Sequence, residues 1–295
     1  MASDGQNRAK VKQPPFYFSS VGRNAAPLLS THWPHLRSAM LVSIALLYSL
    51  QLQIFAADSL ESTDRPNIIL IMADDVGYEC FGCYGSEQYK TPVIDSLARR
   101  GMRFDHCYSQ PLCTPSRVKM MTGLSNVRNY VAFSIMDPGQ KTIGHYFRES
   151  GYETVIAGKW QLLGAEHYPK RFRGKGAWPQ ESGFDRSCLW QVDRLGSRYW
   201  KPALNVDGRH QTSESADTYG PEQVNEYVLD FLAEPHERPF LIYYPMILVH
   251  SSFLPTPDSA SRSEKDKQQN FEEMVSYMDK LIGRVVEKTE QLGIA

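Results

Sequence analysis

Short hydrophobic runs recur along the chain from residue 66 onward. Their length and their content of β-branched and aromatic residues are typical of strands that are buried on both faces of a sheet. A further strand, MRFDHCY (102–108), is expected between two helical segments. The continuous runs that predict strands are NIILIM (67–72), YETVIAG (152–158) and PFLIYYP (239–245).

Between these runs, hydrophobic residues recur at the spacing of a helix. The segment TPVIDSLARRG has Thr91 as its N-cap, Pro92 in its first turn and Gly101 beyond its end, which are start and stop signals of a helix. Strands that alternate with helices predict an α/β fold with a mostly parallel central sheet flanked by helices. In such sheets, functional side chains lie beyond the carboxyl ends of the strands. The other predicted helices cover residues 142–151, 221–232 and 270–293.

The last predicted helix, residues 270–293, is amphipathic, and only Ile294 and Ala295 follow it. In an alternating fold such a helix leads into another strand. We therefore expect residues 58–295 to be the N-terminal part of a domain that is incomplete at its C-terminus.

The first 57 residues differ from the rest of the chain. Basic residues among Pro, Ser and Asn precede the apolar segment AMLVSIALLYSLQLQIFAADS (39–59), which contains the small residues Ala56 and Ala57. This order is typical of a signal peptide with a long basic region. A membrane anchor is the alternative, but the uninterrupted apolar core is shorter than the roughly 20 residues that span a bilayer. We predict that residues 1–57 direct export to the periplasm, the extracellular space or a lumen, with membrane contact only through an uncleaved N-terminal segment.

Charge and cysteine content narrow the classes of function. With 32 basic and 33 acidic residues, the chain lacks the excess of positive charge that a nucleic-acid partner requires. Five cysteines leave at least one unpaired in an exported chain, and the unpaired one is a candidate for chemistry. Cys80 and Cys83 form a C-x-x-C pair, but no second pair follows, so we interpret them as loop cysteines or a local disulfide.

The segment CTPSRVKMMTG (113–123) places a cysteine at the expected start of a helix. Pro115 suits the first turn, so Cys113 lies where free N–H groups and the helix dipole favour negative charge. Arg117, one turn further on, adds a permanent cation that can donate hydrogen bonds to an oxygen. This neighbourhood suits an anionic substrate, whereas the cysteine taken alone is interpreted as a structural thiol.

Two carboxylates follow the first predicted strand. Asp74 and Asp75 stand where the strand breaks into a loop, so both side chains can turn toward one point. A hard cation that prefers oxygen ligands, such as calcium, suits this pair. A solvated turn is the alternative reading of two aspartates at this position.

The string C-x-P-S-R, followed after four intervening residues by T-G, resembles the signature of the type I sulfatases of the alkaline-phosphatase superfamily. Three further blocks resemble that family in the same order, so the resemblance extends from about Arg65 to the end of the chain. They are residues 65–109, 151–160 and 239–257.

This resemblance implies a mechanism. Cys113 would be oxidised to formylglycine by a formylglycine-generating enzyme, and its hydrated aldehyde would be the nucleophile. Asp74, Asp75 and the modified residue 113 would hold calcium. The resemblance also implies contacts to the sulfate: Lys159 and Arg117 would bind it, and His250 would bind it or protonate the leaving alcohol. Without the resemblance, Lys159 and His250 would be read as a surface lysine and a strand-end histidine.

Two departures from the family pattern limit this transfer. Gln161 stands where the family has a histidine, and an amide cannot transfer a proton at neutral pH. The family's remaining metal ligands lie in a later block, so the chain as given is expected to be inactive by itself.

The expected activity is that of a sulfuric ester hydrolase acting on aryl or carbohydrate sulfates, so the expected partner is a sulfated small molecule or polysaccharide. The alternatives are a phosphohydrolase of the same superfamily and a non-catalytic remnant that at most binds anionic sugars. The segment 163–219 is rich in arginine and aromatic residues, which suit a platform for a sulfated sugar or the packing of a core or lid. The aromatic residues concerned are Trp178, Trp190, Tyr199 and Trp200.

Overall fold

A computed structural model of the chain describes residues 65–263 and 266–294. The predicted extension, residues 1–57, lies outside the described residues, so the signal peptide and the anchor stay predictions. Across the described ranges, no helix combines the length and the apolar composition needed to cross a membrane.

The described residues form a six-stranded sheet with helices on both faces. Strands β1, β8, β4 and β5 lie side by side in parallel, and β6 and β7 extend the sheet as an antiparallel hairpin. The mostly parallel α/β class predicted from the sequence is confirmed. The strands of this sheet are β1 (Ile68–Met72), β4 (Glu153–Lys159), β5 (Arg186–Trp190), β6 (Ala203–Val206), β7 (Arg209–Thr212) and β8 (Phe240–Pro245), while β2 (Tyr130–Ala132) and β3 (Ile135–Met136) form a separate ribbon.

Six α-helices surround the sheet in the described ranges. The predicted helices are confirmed, although their ends differ by a few residues, and the helix that begins at Cys113 starts two residues before Pro115. The helices are α1 (Pro92–Arg100), α2 (Cys113–Thr122), α3 (Asn126–Asn129), α4 (Ile143–Glu149), α5 (Gly220–Ala233) and α6 (Lys267–Gln291).

Alternating side chains of the central strands pack into two hydrophobic clusters. Val155 of β4 packs in one cluster with residues of α5 and α6, whereas the next residue, Ile156, packs in the other with Val118 and Met121 of α2. This two-residue alternation is the strand periodicity, and it explains why both faces of β4 are apolar.

One predicted strand is wrong. Residues 102–108 form an exposed irregular segment, in which Met102, Phe104 and Tyr108 lie at the surface. A strand requires a neighbour that pairs with its backbone groups, and none of the described strands runs beside this segment.

The sheet brings the carboxyl ends of β1, β4 and β8 together. After the strands end, the chain beyond β8 continues alongside the chain beyond β1: Asp74 N donates to Leu248 O at 3.0 Å, and Val249 N donates to Asp74 O at 2.8 Å. Gly158 of β4 has a φ of +135°, and a Cβ there would lie 1.8 Å from Pro245 O. Only glycine permits this approach, which aligns the next residue, Lys159, with the ends of β1 and β8.

Candidate active site

Three charged side chains form a buried cluster at these strand ends. Asp74 follows β1, Lys159 ends β4 and Arg117 projects from α2. Lys159 Nζ lies 2.6 Å from Asp74 Oδ2, and Arg117 Nη2 lies 3.3 Å from Asp74 Oδ1. All three side chains are at most 2% exposed. We call Asp74, Lys159 and Arg117 the buried cluster.

The buried cluster carries an excess of positive charge. Burial by itself would raise the pKa of Asp74, but the charges of Arg117 and Lys159 outweigh it and lower that pKa below its ordinary value. Burial, with the nearby charge of Arg117, lowers the pKa of Lys159, and Asp74 opposes that shift. One ionised carboxylate therefore faces two cations, which suits an additional anion.

Arg117 has hydrogen-bonding capacity to spare. Its Nη1 donates to Lys159 O at 2.7 Å, which fixes α2 against the end of β4. Its buried Nε and Nη2 make no hydrogen bond among the described residues, although Nη2 forms the 3.3 Å ion pair with Asp74 Oδ1. Because an unsatisfied buried donor costs on the order of 1–3 kcal/mol, these two groups mark a place that suits an oxygen acceptor.

Cys113 lies at the N-terminus of α2, beside this cluster. It is the first residue of the helix, and its Sγ donates to Gln161 Oε1 at 3.2 Å. Gln161 is 6% exposed and has a φ of +51°, and its N–H donates to Gln191 O at 3.1 Å. Charge interactions also connect Cys113 with Lys159. The sulfur therefore lies at the N-terminus of α2, beside Lys159 of the buried cluster.

Buried polar residues that the sequence did not single out support this arrangement. Ser134 N donates to Thr114 Oγ1 at 3.0 Å, and Ser134 Oγ hydrogen-bonds the hydroxyl of Tyr168. Gln191 Nε2 donates to the same hydroxyl at 3.4 Å. This network connects the first turn of α2 to the loop after β5, so it fixes the backbone that holds Gln161.

The other cysteines lie in different surroundings. All five are free thiols, so the local disulfide between Cys80 and Cys83 is not formed. Burial raises the pKa of the Cys188 thiol to about 12, which keeps it protonated. Cys107 is exposed. Cys113 is thus the thiol that combines partial exposure with the neighbouring buried cations.

Asp75, His250 and Arg198 form an outer group on the more accessible side of the site. His250 Nε2 lies 3.1 Å from Asp75 Oδ2, and Arg198 Nη1 lies 2.8 Å from His250 Nδ1. The hydroxyl of Tyr199 donates to His250 O. The side chains of His250 and Asp75 are 23% and 50% exposed. Since His250 also interacts electrostatically with Asp74, the outer group adjoins the buried cluster.

Arg198 and Tyr199 were not assigned to the site from the sequence, although they lie in the aromatic segment noted there. Trp190 and Tyr199 are 2% and 3% exposed, so both are packing residues rather than an open platform. The Arg198 guanidinium stacks 4.3 Å from the Trp190 ring centroid. The sequence signal for Arg198 was its position among aromatic residues. Its contact with His250 depends on the path of a loop, which has no regular periodicity from which to predict it.

The predicted calcium ligands offer the oxygen donors that calcium prefers, but fewer of them than calcium takes. Asp74 and Asp75 both follow β1, but Asp74 faces the buried cations and Asp75 faces His250. Within residues 65–263 and 266–294, no group of three or more His, Cys, Asp or Glu side chains is arranged to hold a metal. Calcium takes about 6–8 oxygen ligands. The two carboxylates and Gln161 Oε1 are hard oxygen donors, so the described residues offer part of such a shell.

Comparison with known proteins identifies the family. The sulfatase family model matches residues 66–295. The chain belongs to the sulfatase family. Human arylsulfatase A is 29% identical over 262 residues, which covers 78% of this chain and 49% of that protein. The N-acetylglucosamine-6-O-sulfatase of Bacteroides thetaiotaomicron is 28% identical over 215 residues, which covers 72% of this chain and 35% of that protein. The chain thus spans about a third to a half of the length of these curated relatives.

Solved structures share the sulfatase fold. BT4656, in complex with its substrate D-glucosamine-2-N,6-O-disulfate, superposes with a TM-score of 0.61 at 20% identity over 78% of this chain and 63% of that one. The phosphonate monoester hydrolase of Agrobacterium radiobacter superposes with a TM-score of 0.55 at 14% identity over 78% of this chain and 60% of that one. The fold is therefore common to proteins named for different ester classes, so the fold alone does not identify the ester that this chain binds.

Proposed function

We propose that this sulfatase chain carries the active site of a sulfuric ester hydrolase in which Cys113 is converted to formylglycine. The observation that supports this most directly is the buried cluster beside Cys113, where two cations face one carboxylate. A sulfate ester group has one negative charge spread over terminal oxygens, which matches the excess charge and the free N–H groups of Arg117. Membership of the sulfatase family supports the same ester class.

Each residue has a role that follows from its position. When present, formylglycine at position 113 supplies a hydrated aldehyde as the nucleophile, and calcium held by Asp74 and Asp75 supplies Lewis-acid polarisation. Lys159 and Arg117 stabilise negative charge that develops on the sulfate oxygens, and their burial strengthens that interaction. Gln161 accepts a hydrogen bond from residue 113 and so orients it. Since an amide does not transfer protons at neutral pH, Gln161 has no acid–base role.

His250 is placed to assist the leaving alcohol. It lies on the more accessible side of the buried cluster, and a protonated imidazole can donate a proton to an oxygen in the pH range of most enzymes. Its Nε2 lies 3.1 Å from Asp75 Oδ2. We assign His250 as the proton donor to the leaving group.

The substrate class that we propose is a carbohydrate sulfate or an aryl sulfate. Two solved neighbours are complexes with D-glucosamine-2-N,6-O-disulfate and k-i-k-neocarrahexaose. One relative is named N-acetylglucosamine-6-O-sulfatase. These names favour a sulfated small molecule or polysaccharide as substrate. A formylglycine-generating enzyme is the proposed modifying partner, and export of the chain remains part of the proposal.

The ester class is tested with paired substrates. The protein, expressed from its complete coding sequence with a formylglycine-generating enzyme, is assayed in calcium on the sulfate and the phosphate ester of one phenol. We expect kcat/KM to be at least about a hundredfold higher for the sulfate, which corresponds to about 2.7 kcal/mol in transition-state binding. A preference for phosphate would favour a phosphohydrolase of the same superfamily. No turnover of either ester would favour a non-catalytic protein.

The modification is tested by mass spectrometry of the tryptic peptide that contains Cys113. We expect an aldehyde at position 113 in protein from the co-expressing host and a thiol in protein from a host that lacks the modifying enzyme. A thiol in both would remove formylglycine from the mechanism.

A further inference from the structure

The loop that follows β4 carries a run of exposed positive charge. Residues 163–176, which we call the basic loop, contain four lysines and arginines and one acidic residue, Glu166, whereas the whole chain has a net charge of −1. The excess is therefore concentrated in this loop and does not follow from the overall composition. The four basic residues, all of them exposed, are Lys170, Arg171, Arg173 and Lys175.

These four cations lack a counter-charge in the described part of the protein. No described residue forms an ion pair with any of them. Exposed lysines elsewhere do pair with carboxylates, as Lys141 does with Glu149. Because like charges that lie close together repel one another, the basic loop favours an anion that a partner supplies.

Hydrogen bonds between its two ends close the backbone of the basic loop. Gly164 N donates to Lys175 O at 2.8 Å, and Gly174 N donates to Gly164 O at 2.7 Å. A Cβ at Gly164 would lie 1.9 Å from Phe172 O, so only glycine permits this closure. The cations therefore project from a backbone of defined shape.

The basic loop also holds the side chains of its two arginines. Arg173 Nε donates to Tyr168 O at 2.7 Å, and the Arg171 guanidinium lies 4.7 Å from the centroid of the Phe172 ring. Because these contacts already order both side chains, binding an anion costs them less conformational entropy. Their remaining N–H groups can donate paired hydrogen bonds to the oxygens of a sulfate group.

Tyr168 connects the basic loop to the candidate active site. Its hydroxyl hydrogen-bonds Ser134 Oγ, and Ser134 N donates at 3.0 Å to Thr114 Oγ1, one residue after Cys113. Lys170 follows Tyr168 by two residues, so the Cα atoms of these two residues lie within about 8 Å of each other. The run of positive charge therefore begins near the site and continues along the exposed part of the loop.

We propose that the basic loop binds a sulfated polysaccharide chain that continues beyond the ester in the active site. One sulfate group occupies the site beside Lys159 and Arg117, and neighbouring sulfate groups of the same chain contact the loop cations. A small aryl sulfate has no second anionic group that reaches the loop, so the proposal selects a polymer from the substrate classes given above. The cleavage of the ester rests on the proposed function, whereas the binding of the polymer by the loop does not.

The connection to the site favours this partner over other polyanions. Clusters of lysine and arginine also suit nucleic acids and anionic membranes. Neither of those partners carries a sulfate ester for the site beside Cys113, and the net charge of −1 lacks the basic excess typical of a nucleic-acid-binding chain. A sulfated polysaccharide accounts for both the basic loop and the buried cluster.

The proposal is tested by titrating the protein with a heparin octasaccharide and with the monosaccharide D-glucosamine-2-N,6-O-disulfate. The protein is expressed from its complete coding sequence and carries Cys113→Ala, so that no ester is cleaved during the titration. The loop variant combines Lys170→Gln, Arg171→Gln, Arg173→Gln and Lys175→Gln. The control variant removes the same four charges at exposed positions outside the basic loop, through Lys90→Gln, Arg99→Gln, Arg148→Gln and Lys267→Gln.

We expect the loop variant to raise the Kd for the octasaccharide by about tenfold to a hundredfold at low ionic strength, because four exposed charge contacts are lost. The Kd for the monosaccharide should change by less than about threefold, and the control variant should change either Kd by less than about threefold. The effect on the octasaccharide should shrink in 1 M salt, where the screening length falls to about 3 Å. Octasaccharide binding that matches the control variant, or an equal loss for the monosaccharide, would overturn the proposal.

Further probes and a milder variant complete the binding test. Loop substitutions that weaken binding to phosphatidylserine vesicles or duplex DNA, but leave octasaccharide binding unchanged, would also overturn the proposal. If the loop variant does not fold, Lys170→Gln combined with Lys175→Gln replaces it, since neither lysine side chain forms a hydrogen bond or ion pair with a described residue. We expect this pair to raise the octasaccharide Kd by about threefold to tenfold, and an unchanged Kd would contradict the proposal.

Competition tests whether one polymer chain reaches both the basic loop and the site. In protein that retains Cys113 and is co-expressed with a formylglycine-generating enzyme, the octasaccharide should inhibit the turnover of a nitrophenyl sulfate competitively. The loop substitutions should raise its inhibition constant by the same factor as its Kd. Octasaccharide binding that does not compete with the nitrophenyl sulfate would overturn the proposal. If the parent does not hydrolyse the nitrophenyl sulfate, the proposed function fails, whereas binding to the Cys113→Ala protein still decides the role of the basic loop.

Discussion

The buried cluster and the outer group lie beyond the same strands but differ in their access to water. In the buried cluster, Asp74, Lys159 and Arg117 are at most 2% exposed, and each charge is compensated only by its neighbours. In the outer group, His250 and Asp75 are 23% and 50% exposed, so solvent shares in their solvation. A contact between a carboxylate and a cationic or neutral nitrogen therefore contributes differently to the free energy of unfolding in the buried cluster and in the outer group.

This difference separates what the two groups do. Removing one member of a buried set of charges leaves the others without compensation, whereas water replaces a lost partner at the surface. The buried cluster thus resists change, and in the proposed function it maintains a fixed field for the sulfate. The outer group can exchange its contacts when a substrate enters, which suits a residue that donates a proton.

The difference between the buried cluster and the outer group is tested most strongly by replacing each aspartate in turn. Asp74→Ala leaves Lys159 and Arg117 as buried cations without a counter-charge, so we expect a loss of about 3–5 kcal/mol in the free energy of unfolding. Asp75→Ala removes a half-exposed partner, and we expect a loss of less than about 1 kcal/mol. Urea unfolding in calcium-free buffer measures both. Similar losses for the two variants would show that burial does not distinguish the groups.

The pH dependence of stability tests whether the buried cluster keeps Asp74 ionised. The pKa of Asp74 is lowered in the folded protein, so its ionised form contributes stability that is complete above its unfolded pKa of about 3.8 and is lost as the pH falls through the folded value. Asp74→Asn removes this contribution. The stability difference between parent and Asp74→Asn should therefore shrink as the pH is lowered below about 4. A difference that stays constant between neutral pH and acid would mean that Asp74 is not held ionised by its neighbours.

A small effect is also expected in the support of the outer group. Tyr199→Phe removes the hydroxyl that donates to His250 O, and we expect a loss of about 1 kcal/mol, which is typical of one hydrogen bond. Thermal unfolding measures this loss, and Tyr146→Phe, at an exposed tyrosine, is the control. A loss above about 3 kcal/mol would show that Tyr199 stabilises the core rather than this one contact.

Much of the buried cluster was predictable because strand ends are visible in a sequence. Hydrophobic runs that end at Asp74 and Lys159 place both at the carboxyl edge of a parallel sheet, and a helix start places Cys113 nearby. The outer group was only half predictable. Arg198 reaches His250 through a loop whose path depends on the stacking of Trp190, and no spacing rule describes such a loop.

Two strand assignments were also missed because a strand depends on the neighbour with which it pairs. The run at residues 102–108 has strand composition but lacks a described neighbour with which to pair, and composition cannot supply one. The β6–β7 hairpin was missed, although Asp207-Gly208 has the positive φ angles of +49° and +82° that suit a two-residue turn. This Asp-Gly pair was a usable signal, because that sequence is favoured where both central residues of a hairpin have positive φ.

The most direct test of the central claim, that residue 113 beside the buried cluster performs the chemistry, is the turnover of a nitrophenyl sulfate by Cys113→Ala. The protein is expressed from its complete coding sequence with a formylglycine-generating enzyme, and Cys107→Ala, at an exposed cysteine, is the matched control. We predict turnover by the parent and by Cys107→Ala, and none above background by Cys113→Ala. Turnover retained by Cys113→Ala would contradict the account.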